Sequence, residues 1–369
     1  MKHYLDFEKE IKALEEEVDG LKSPFGSEGI SEIDTKKIQN TEAELNEKLK
    51  QIYANLNSWQ KTLVARHEDR PKANFYIKKI FTQFTLLSGD RYFGDDKSVI
   101  AGFGLIDNKS VLIIGQEKGE DLNTRIERNF GMMRPEGYRK CIRLMKLADR
   151  FQIPVISFID TPGAYPGIGA EQRGQASAIA NSIECSMSLT VPNISIIIGE
   201  GGSGGAIALA SSNKVIMLEN SIYSVISPEG CASILWRDPQ KSLQAAEAMK
   251  LTAKDLLKLG IIDEIISEPL GGAHRDPEAI AIDIRHSIIK NLRSFENSSK
   301  EEIYDHRKAK FLQIGRDQGF SSKSSDLDNT GLSYTGSDIQ KIKIHIVKNK
   351  LVYIGIGLVF IAGLVSIIY

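Results

Sequence analysis

Five glycines crowd into the seven residues Gly199-Glu200-Gly201-Gly202-Ser203-Gly204-Gly205, between the strand-like run Ile194 to Ile198 and the small-residue helix Ala206 to Ser211. Three chemistries fit this spacing. Gly199, Gly201 and Gly204 satisfy G-x-G-x-x-G, and Glu219 ends the next strand, where a dinucleotide fold keeps its ribose-binding acid. Gly201, Ser203 and Gly205 satisfy G-x-S-x-G, the nucleophile elbow of a serine hydrolase, with Asp263, His274, Asp276 and His286 downstream in the order a triad needs. A Walker A loop is excluded, because no Lys-Ser/Thr pair follows Gly204. The third chemistry uses no side chain: amides at a helix N-terminus lack helical partners, sit at the positive end of the dipole, and hold an anion or a developing oxyanion. Glycines that let a ligand approach the backbone suit that role better than any single side-chain role.

A second loop favours the backbone reading. Asp160-Thr161-Pro162-Gly163-Ala164-Tyr165-Pro166-Gly167 has no place in a nucleotide or hydrolase fingerprint, yet it also follows a buried strand and offers amides at Gly163 and Ala164. Ser227-Pro228-Glu229-Gly230 reads as an N-cap with proline at the first helical position, and so supplies a further helix terminus.

The elements that must position these loops follow from hydrophobic period. Ser98 to Ile106 and Ser110 to Gly115 are strand-like runs around a turn at Asp107-Asn108-Lys109. A helical stretch from Glu136 to Phe151 leads to the apolar strand Ile153 to Ile159, and a helix from about Glu171 to Leu189 precedes Ile194 to Ile198. Lys214 to Leu218 is the next strand, and Ser242 to about Arg293 is mostly helical. Strands that are apolar throughout and alternate with helices imply an α/β core covered on both faces. Ahead of it, two charged amphipathic helices carry the stripes Ile11, Leu14, Val18, Leu21 and Leu45, Leu49, Ile52, Tyr53, Leu56, separated at Pro24, Gly26 and Gly29. They form a helical hairpin over 1–60 that packs on its own chain or on a partner.

Composition narrows the partners. With 47 basic and 48 acidic side chains the net charge is −1, so no global field draws the chain to nucleic acid. Cys141, Cys185 and Cys231 are three, widely spaced and never C-x-x-C, which reads as reduced thiols without a metal site. The N-terminus has no apolar core of a secretory signal, giving a cytoplasmic expectation.

The segments Ala65-Arg66-His67, Ser88-Gly89-Asp90-Arg91, Arg128 to Met132 and Pro135 to Lys140 resemble the carboxyltransferase alpha subunits of multi-subunit acetyl-CoA carboxylase. So do Phe158 to Gly167, Gly199 to Ala206, Tyr223 to Trp236 and Glu268 to Arg275. The resemblance runs from Leu5 to about Asp317. It implies a crotonase-like fold of ββα repeats over 61–316. It also implies carboxyl transfer from carboxybiotin, held on a biotin carboxyl carrier protein, to acetyl-CoA, giving malonyl-CoA in the first committed step of fatty-acid synthesis. The implied assembly is an α2β2 heterotetramer with a beta subunit, which carries the zinc, and it joins a biotin carboxylase in the holoenzyme. This chain would bind no cofactor of its own. Position in the family motif gives Gly204 and Gly205 the oxyanion hole for the ureido oxygen of biotin. Gly163, Ala164, Gly201, Gly202, Ser227, Pro228, Glu229 and Gly230 would shape the biotin pocket, and Ser203 would be a loop residue.

Members of this family commonly end near the position of Gly315. Here a polar linker, 317–350, follows, and then the uncharged run Leu351 to Tyr369. Its 19 residues would span about 28 Å as a helix, enough for a hydrocarbon core, and Lys341, Lys343, Lys348 and Lys350 precede it. The expectation is a single C-terminal hydrophobic helix tethering the enzyme to the cytoplasmic face of a membrane.

Overall fold

Apolar alternation dictates the sheet. In the strand β6 (Val155–Thr161), Val155 and Ile159 point to one face while Ile156 and Phe158 point to the other, and all are fully buried. The computed structural model describes residues 3–23, 25–26, 29–30 and 35–315 of the chain.

The N-terminal arm pairs α1 (Lys9–Lys22) with α2 (Thr35–Ala54), joined through the two short antiparallel strands β1 (Phe25–Gly26) and β2 (Gly29–Ile30). Ile11, Val18, Ile38 and Leu49 are buried. The arm packs on its own chain: Arg275 pairs with Glu15 and, at 3.5 Å, with Glu8, whose carboxylate also accepts from the Tyr53 hydroxyl at 2.8 Å.

Two helices, α3 (Ser58–Ala65) and α4 (Ala73–Ile80), lead into an eight-stranded mixed sheet. Its first strands, β3 (Thr82–Leu86), β4 (Val99–Ile106) and β5 (Lys109–Gln116), are antiparallel neighbours. The turn between β4 and β5 is two residues, Asp107 and Asn108, both with positive φ, so Lys109 belongs to the strand and not to the turn expected from sequence. After α5 (Leu122–Glu127) and α6 (Pro135–Arg150) the chain turns parallel at β6. The single helix expected before the next strand is two, α7 (Ile168–Gln172) and α8 (Gln175–Ser188), divided at Arg173-Gly174. Next come β7 (Asn193–Gly202), α9 (Ser203–Ala210), β8 (Lys214–Leu218) and β9 (Ile222–Ser224). Then α10 (Pro228–Leu235), α11 (Ser242–Met249), α12 (Ala253–Lys258), β10 (Glu264–Ile266), α13 (Pro277–Arg293) and α14 (Lys300–Gln313) complete the described chain.

Strand order is β10-β8-β7-β6-β5-β4-β3, with β9 pairing parallel to the far end of β7. Helices α6, α8, α9 and α12 cover one face and α4 and α13 the other, so two apolar layers sandwich the sheet. Arg307 of α14 is buried and reaches the carbonyls of Met187, Leu189 and Val191 and the Asn213 side chain, closing the end of the sheet opposite the glycine loops. The linker and the apolar run 351–369 lie outside the described residues. No helix among the described residues is long and apolar enough to cross a membrane.

Candidate active site

The carboxyl ends of β6 and β7, adjacent and parallel, bring the two loops together, as open α/β sheets place their ligand sites. One correction concerns the first loop. Gly199 to Gly202 are not a loop but the last four residues of β7, with Gly201 opposite Thr161 of β6 on one side and Tyr223 of β9 on the other. A strand bonded on both edges leaves no phosphate-cradling turn, and Gly199 lies against the Asp160 carboxylate. The dinucleotide reading loses its geometry there. Glu219 is half-buried, its carbonyl accepting from Lys61 at 3.3 Å.

The hydrolase reading fails on partners. Ser203 is exposed, with φ +47° as an elbow requires, but its hydroxyl has no hydrogen-bond partner among the described residues. Three of the four proposed triad members are engaged elsewhere, and the fourth, His286, is exposed on α13. Asp263 pairs with Lys310 and accepts from the Val215 amide at the opposite end of the sheet. Asp276 caps α13 through the Ala279 amide. His274 stacks on His67 at 3.9 Å between centroids and 9° between planes. Burial first, and then the neighbouring His67, push His274 down to about 3, so it is neutral and not poised as a base at pH 7.

The backbone reading keeps its geometry. Gly202, at the N-cap of α9, has no side chain to take the first-turn amides of Ser203, Gly204 and Gly205. The two loops stack backbone on backbone. A Cβ on Gly202 would stand 2.1 Å from the Pro162 oxygen, and one on Gly205 would stand 2.6 Å from the Gly163 carbonyl carbon. Gly205 is buried beneath Gly163 and Ala164, and Gly204 is half-buried. The Gly163 amide donates to the Thr161 hydroxyl at 3.2 Å, which makes it a poorer donor for a ligand than the α9 amides. Ser227 caps α10 by accepting from Gly230 at 3.1 Å, and Pro228 takes the first helical position. Of the sequence candidates, Gly201, Gly202 and Ser227 line one narrow cleft with Arg66, Glu200 and Pro162. Gly163, Ala164, Gly204 and Gly205 form the stacked backbone beside it, while Pro228, Glu229 and Gly230 belong to the first turn of α10.

Apart from Glu229, sequence reasoning gave no role to the charges beneath this floor. Lys118 joins Asp160 at 2.8 Å and Glu200 at 2.7 Å, and Arg66 joins Glu200 and Glu229, each at 2.5 Å. The network pins β5, β6, β7, α3 and α10 to one another around the cleft. Charged residues at the carboxyl ends of apolar strands, as in Gln116-Glu117-Lys118 and Ile159-Asp160, are the signal that could have found it. Burial alone would raise the Glu200 carboxyl, but Lys118 and then Arg66 outweigh it and hold it at about 2. A depressed carboxyl stabilises the fold fully above its unfolded value of about 4.5 and loses that contribution as pH falls toward about 2. The difference in urea midpoint between wild type and Glu200→Gln should therefore be constant above pH about 5 and shrink steadily below it. A difference that does not change across that range would contradict the assignment.

Burial pushes the Cys141 thiol up to about 12 and Cys185 to about 11, so neither is a nucleophile. No group of His, Cys, Asp and Glu among the described residues could hold a metal ion.

Comparison with known proteins adds a lineage to this geometry. Residues 4–315 match the family described as Acetyl co-enzyme A carboxylase carboxyltransferase-like. The chain is 65% identical over 351 residues to the acetyl-coenzyme A carboxylase carboxyl transferase subunit alpha of Pelagibacter ubique, covering 95% of each chain. It is 53% identical over 319 residues to the protein of the same name from Azorhizobium caulinodans, covering 86% of this chain and 99% of that one. The Pelagibacter alignment thus runs beyond Gly315, whereas the Azorhizobium protein has little outside the match. Among solved structures, a transcarboxylase 12S chain superposes with TM-score 0.51 at 18% identity, covering 61% of this chain and 41% of that one. A chain of a Pseudomonas malonate decarboxylase hetero-tetramer in complex with coenzyme A superposes with TM-score 0.53 at 14% identity, covering 67% and 100%. At these identities the likeness is one of fold.

Proposed function

The chain belongs to the acetyl-CoA carboxylase carboxyltransferase-like family, and on that premise we propose how its glycine floor performs the transfer. It has the crotonase-like α/β fold and is the alpha-type component of a biotin-dependent carboxyltransferase, which forms malonyl-CoA from acetyl-CoA for fatty-acid synthesis.

The reaction begins on carboxybiotin. Its N–C bond breaks, carbon dioxide departs, and the electron pair left on nitrogen spreads to the ureido oxygen. The amides of Gly204 and Gly205, in the uncapped first turn of α9, donate to that oxygen and stabilise the charge as it forms. The biotin nitrogen then takes a methyl proton from acetyl-CoA. The resulting enolate carbon attacks carbon dioxide to give malonyl-CoA, leaving biotin protonated and neutral. No protein base is required, which fits an exposed Ser203 whose hydroxyl has no hydrogen-bond partner among the described residues. Gly163, Ala164, Gly201, Gly202 and the Ser227 to Gly230 turn shape the biotin pocket. The observation that carries the reading is the backbone-on-backbone packing of Gly205 against Gly163, which puts an uncapped helix start at the ends of β6 and β7.

The acetyl-CoA side of the site, with its zinc, belongs to a beta subunit in an α2β2 assembly, and biotin arrives on a carrier protein charged by a biotin carboxylase. Malonyl-CoA decarboxylation with carboxylation of free biotin should be negligible for this chain alone and appear when a beta subunit is added. Ser203→Ala should keep the rate within a few-fold. Total loss on Ser203→Ala, with fluorophosphonate labelling of Ser203, would return the hydrolase reading. Tight nicotinamide-dinucleotide binding would return the oxidoreductase.

We further propose that the apolar run 351–369 tethers this otherwise cytoplasmic enzyme to a membrane, on the strength of its length, lack of charge and preceding lysines. Fractionation of the full chain against one lacking 338–369 tests this. A full-length protein wholly in the soluble fraction would end the idea.

A further inference from the structure

We infer that Gln116 and Gln175 are positioning residues that set the spacing between the two glycine-bearing loops, a role that rests on the oxyanion reading of α9. Gln116 is the last residue of β5 and has no exposed surface. Its side-chain amide donates to the Gly205 carbonyl at 2.7 Å and approaches the Met133 sulfur at 3.4 Å. Gln175, at the start of α8 and 4% exposed, donates to the Met133 carbonyl at 2.8 Å and the Tyr165 carbonyl at 3.0 Å. Tyr165 in turn donates its amide to the same Met133 carbonyl at 3.1 Å. One buried glutamine therefore grips the first turn of α9, the other grips the 162–167 loop, and Met133 is common to both.

The remaining atoms explain why packing alone does not account for them. The Oε1 atoms of Gln116 and Gln175 are both buried without a partner among the described residues. A buried acceptor left unpaired opposes folding, and a methionine of similar length would fill the same space without that penalty. The Gly205 carbonyl, facing along α9, retains its place in the helix ladder if the glutamine is removed. Gln116 thus weakens the fold in exchange for fixing a backbone, whereas Gln175 also supplies the hydrogen bond that the Tyr165 carbonyl accepts. The need is plain in α9, whose first turn contains two adjacent glycines and no side-chain cap. Oxyanion donors must hold their geometry to within about half an ångström to be effective.

The test compares wild type with Gln116→Met, Gln175→Met and the double variant, each reconstituted with the beta subunit. The assay is malonyl-CoA decarboxylation onto free biotin, with Tm measured alongside and Gln116→Leu as a second substitution at that position. Each single variant should lose kcat by about tenfold or more and keep KM for malonyl-CoA within twofold, and Gln116→Met should keep or raise Tm. The double variant should lose less than the product of the two, because both residues act through Met133. Single variants with kcat within twofold of wild type would overturn the inference, as would a kcat that falls only in step with Tm. Gly205→Val separates the two levels of argument. If it is slow while the glutamine variants are fast, only the glutamine role fails. If it matches wild type, the oxyanion reading fails and takes this one with it.

Discussion

Valine at position 205 is expected to lower kcat for carboxyl transfer by at least about a hundredfold, the effect of removing one oxyanion donor in other enzymes. The physical cause is local. A Cβ there would stand 2.6 Å from the carbonyl carbon of Gly163, 2.7 Å from its oxygen and 3.0 Å from the Ala164 nitrogen. These are backbone atoms, so the clash cannot be relieved by a rotamer change, and the two loops must separate. Gly204→Ala is the matched control. Its Cβ would meet only side-chain atoms of Ile179, the nearest at 3.4 Å, an ordinary contact, and the amide is retained. It should fold normally and keep kcat within a few-fold. Gel filtration with the beta subunit and circular dichroism distinguish lost geometry from lost fold. A Gly205→Val complex that assembles and turns over at the wild-type rate would refute the α9 amides as donors.

These contacts also mark where sequence reading succeeded and where it stopped. The apolar bodies of the β6 and β7 strands were legible because apolar runs followed by glycine or proline are local signals, and Ser227-Pro228 was legible because a cap and a first-turn proline are adjacent. The course of Gly199 to Gly202 was not legible. Glycine disfavours strands, and only pairing with Thr161 on one side and Tyr223 on the other keeps those residues extended. Nor could the chain choose among three glycine fingerprints from spacing. Asp263, His274 and Asp276 have the right order for a triad, but their partners, Lys310, His67 and the α13 amides, are set by tertiary packing. The same holds for Arg66 and Glu200, 134 residues apart, and for Gln116 and Gly205, 89 apart. Local pattern singled out the two glycine-bearing segments, and long-range pairing determined what surrounds them.

The deepest of those pairings should also show the largest loss of stability. Arg70 and Glu268 are joined by two hydrogen bonds, 3.0 and 2.5 Å, with side chains 1% and 0% exposed. Glu268 further accepts from the Asn220 amide at 3.0 Å and the Ala273 amide at 2.9 Å, while Arg70 Nε donates to the Ile198 carbonyl at 2.6 Å. The pair therefore ties β7, immediately before its glycines, to the segments that follow β8 and β10. Removing one partner leaves the other as an unpaired buried charge, which costs about 3–5 kcal/mol. For Glu268→Leu or Arg70→Met this predicts a fall in Tm of about 5–10 °C and a lower urea midpoint with an unchanged m-value. The double variant Arg70→Met with Glu268→Leu removes both charges. It should unfold later than either single variant, because its remaining orphaned groups are neutral amides and a carbonyl. If the double variant is as unstable as the sum of the singles, charge burial is not what the pair resolves, and its hydrogen bonds to Asn220, Ala273 and Ile198 carry the stability instead.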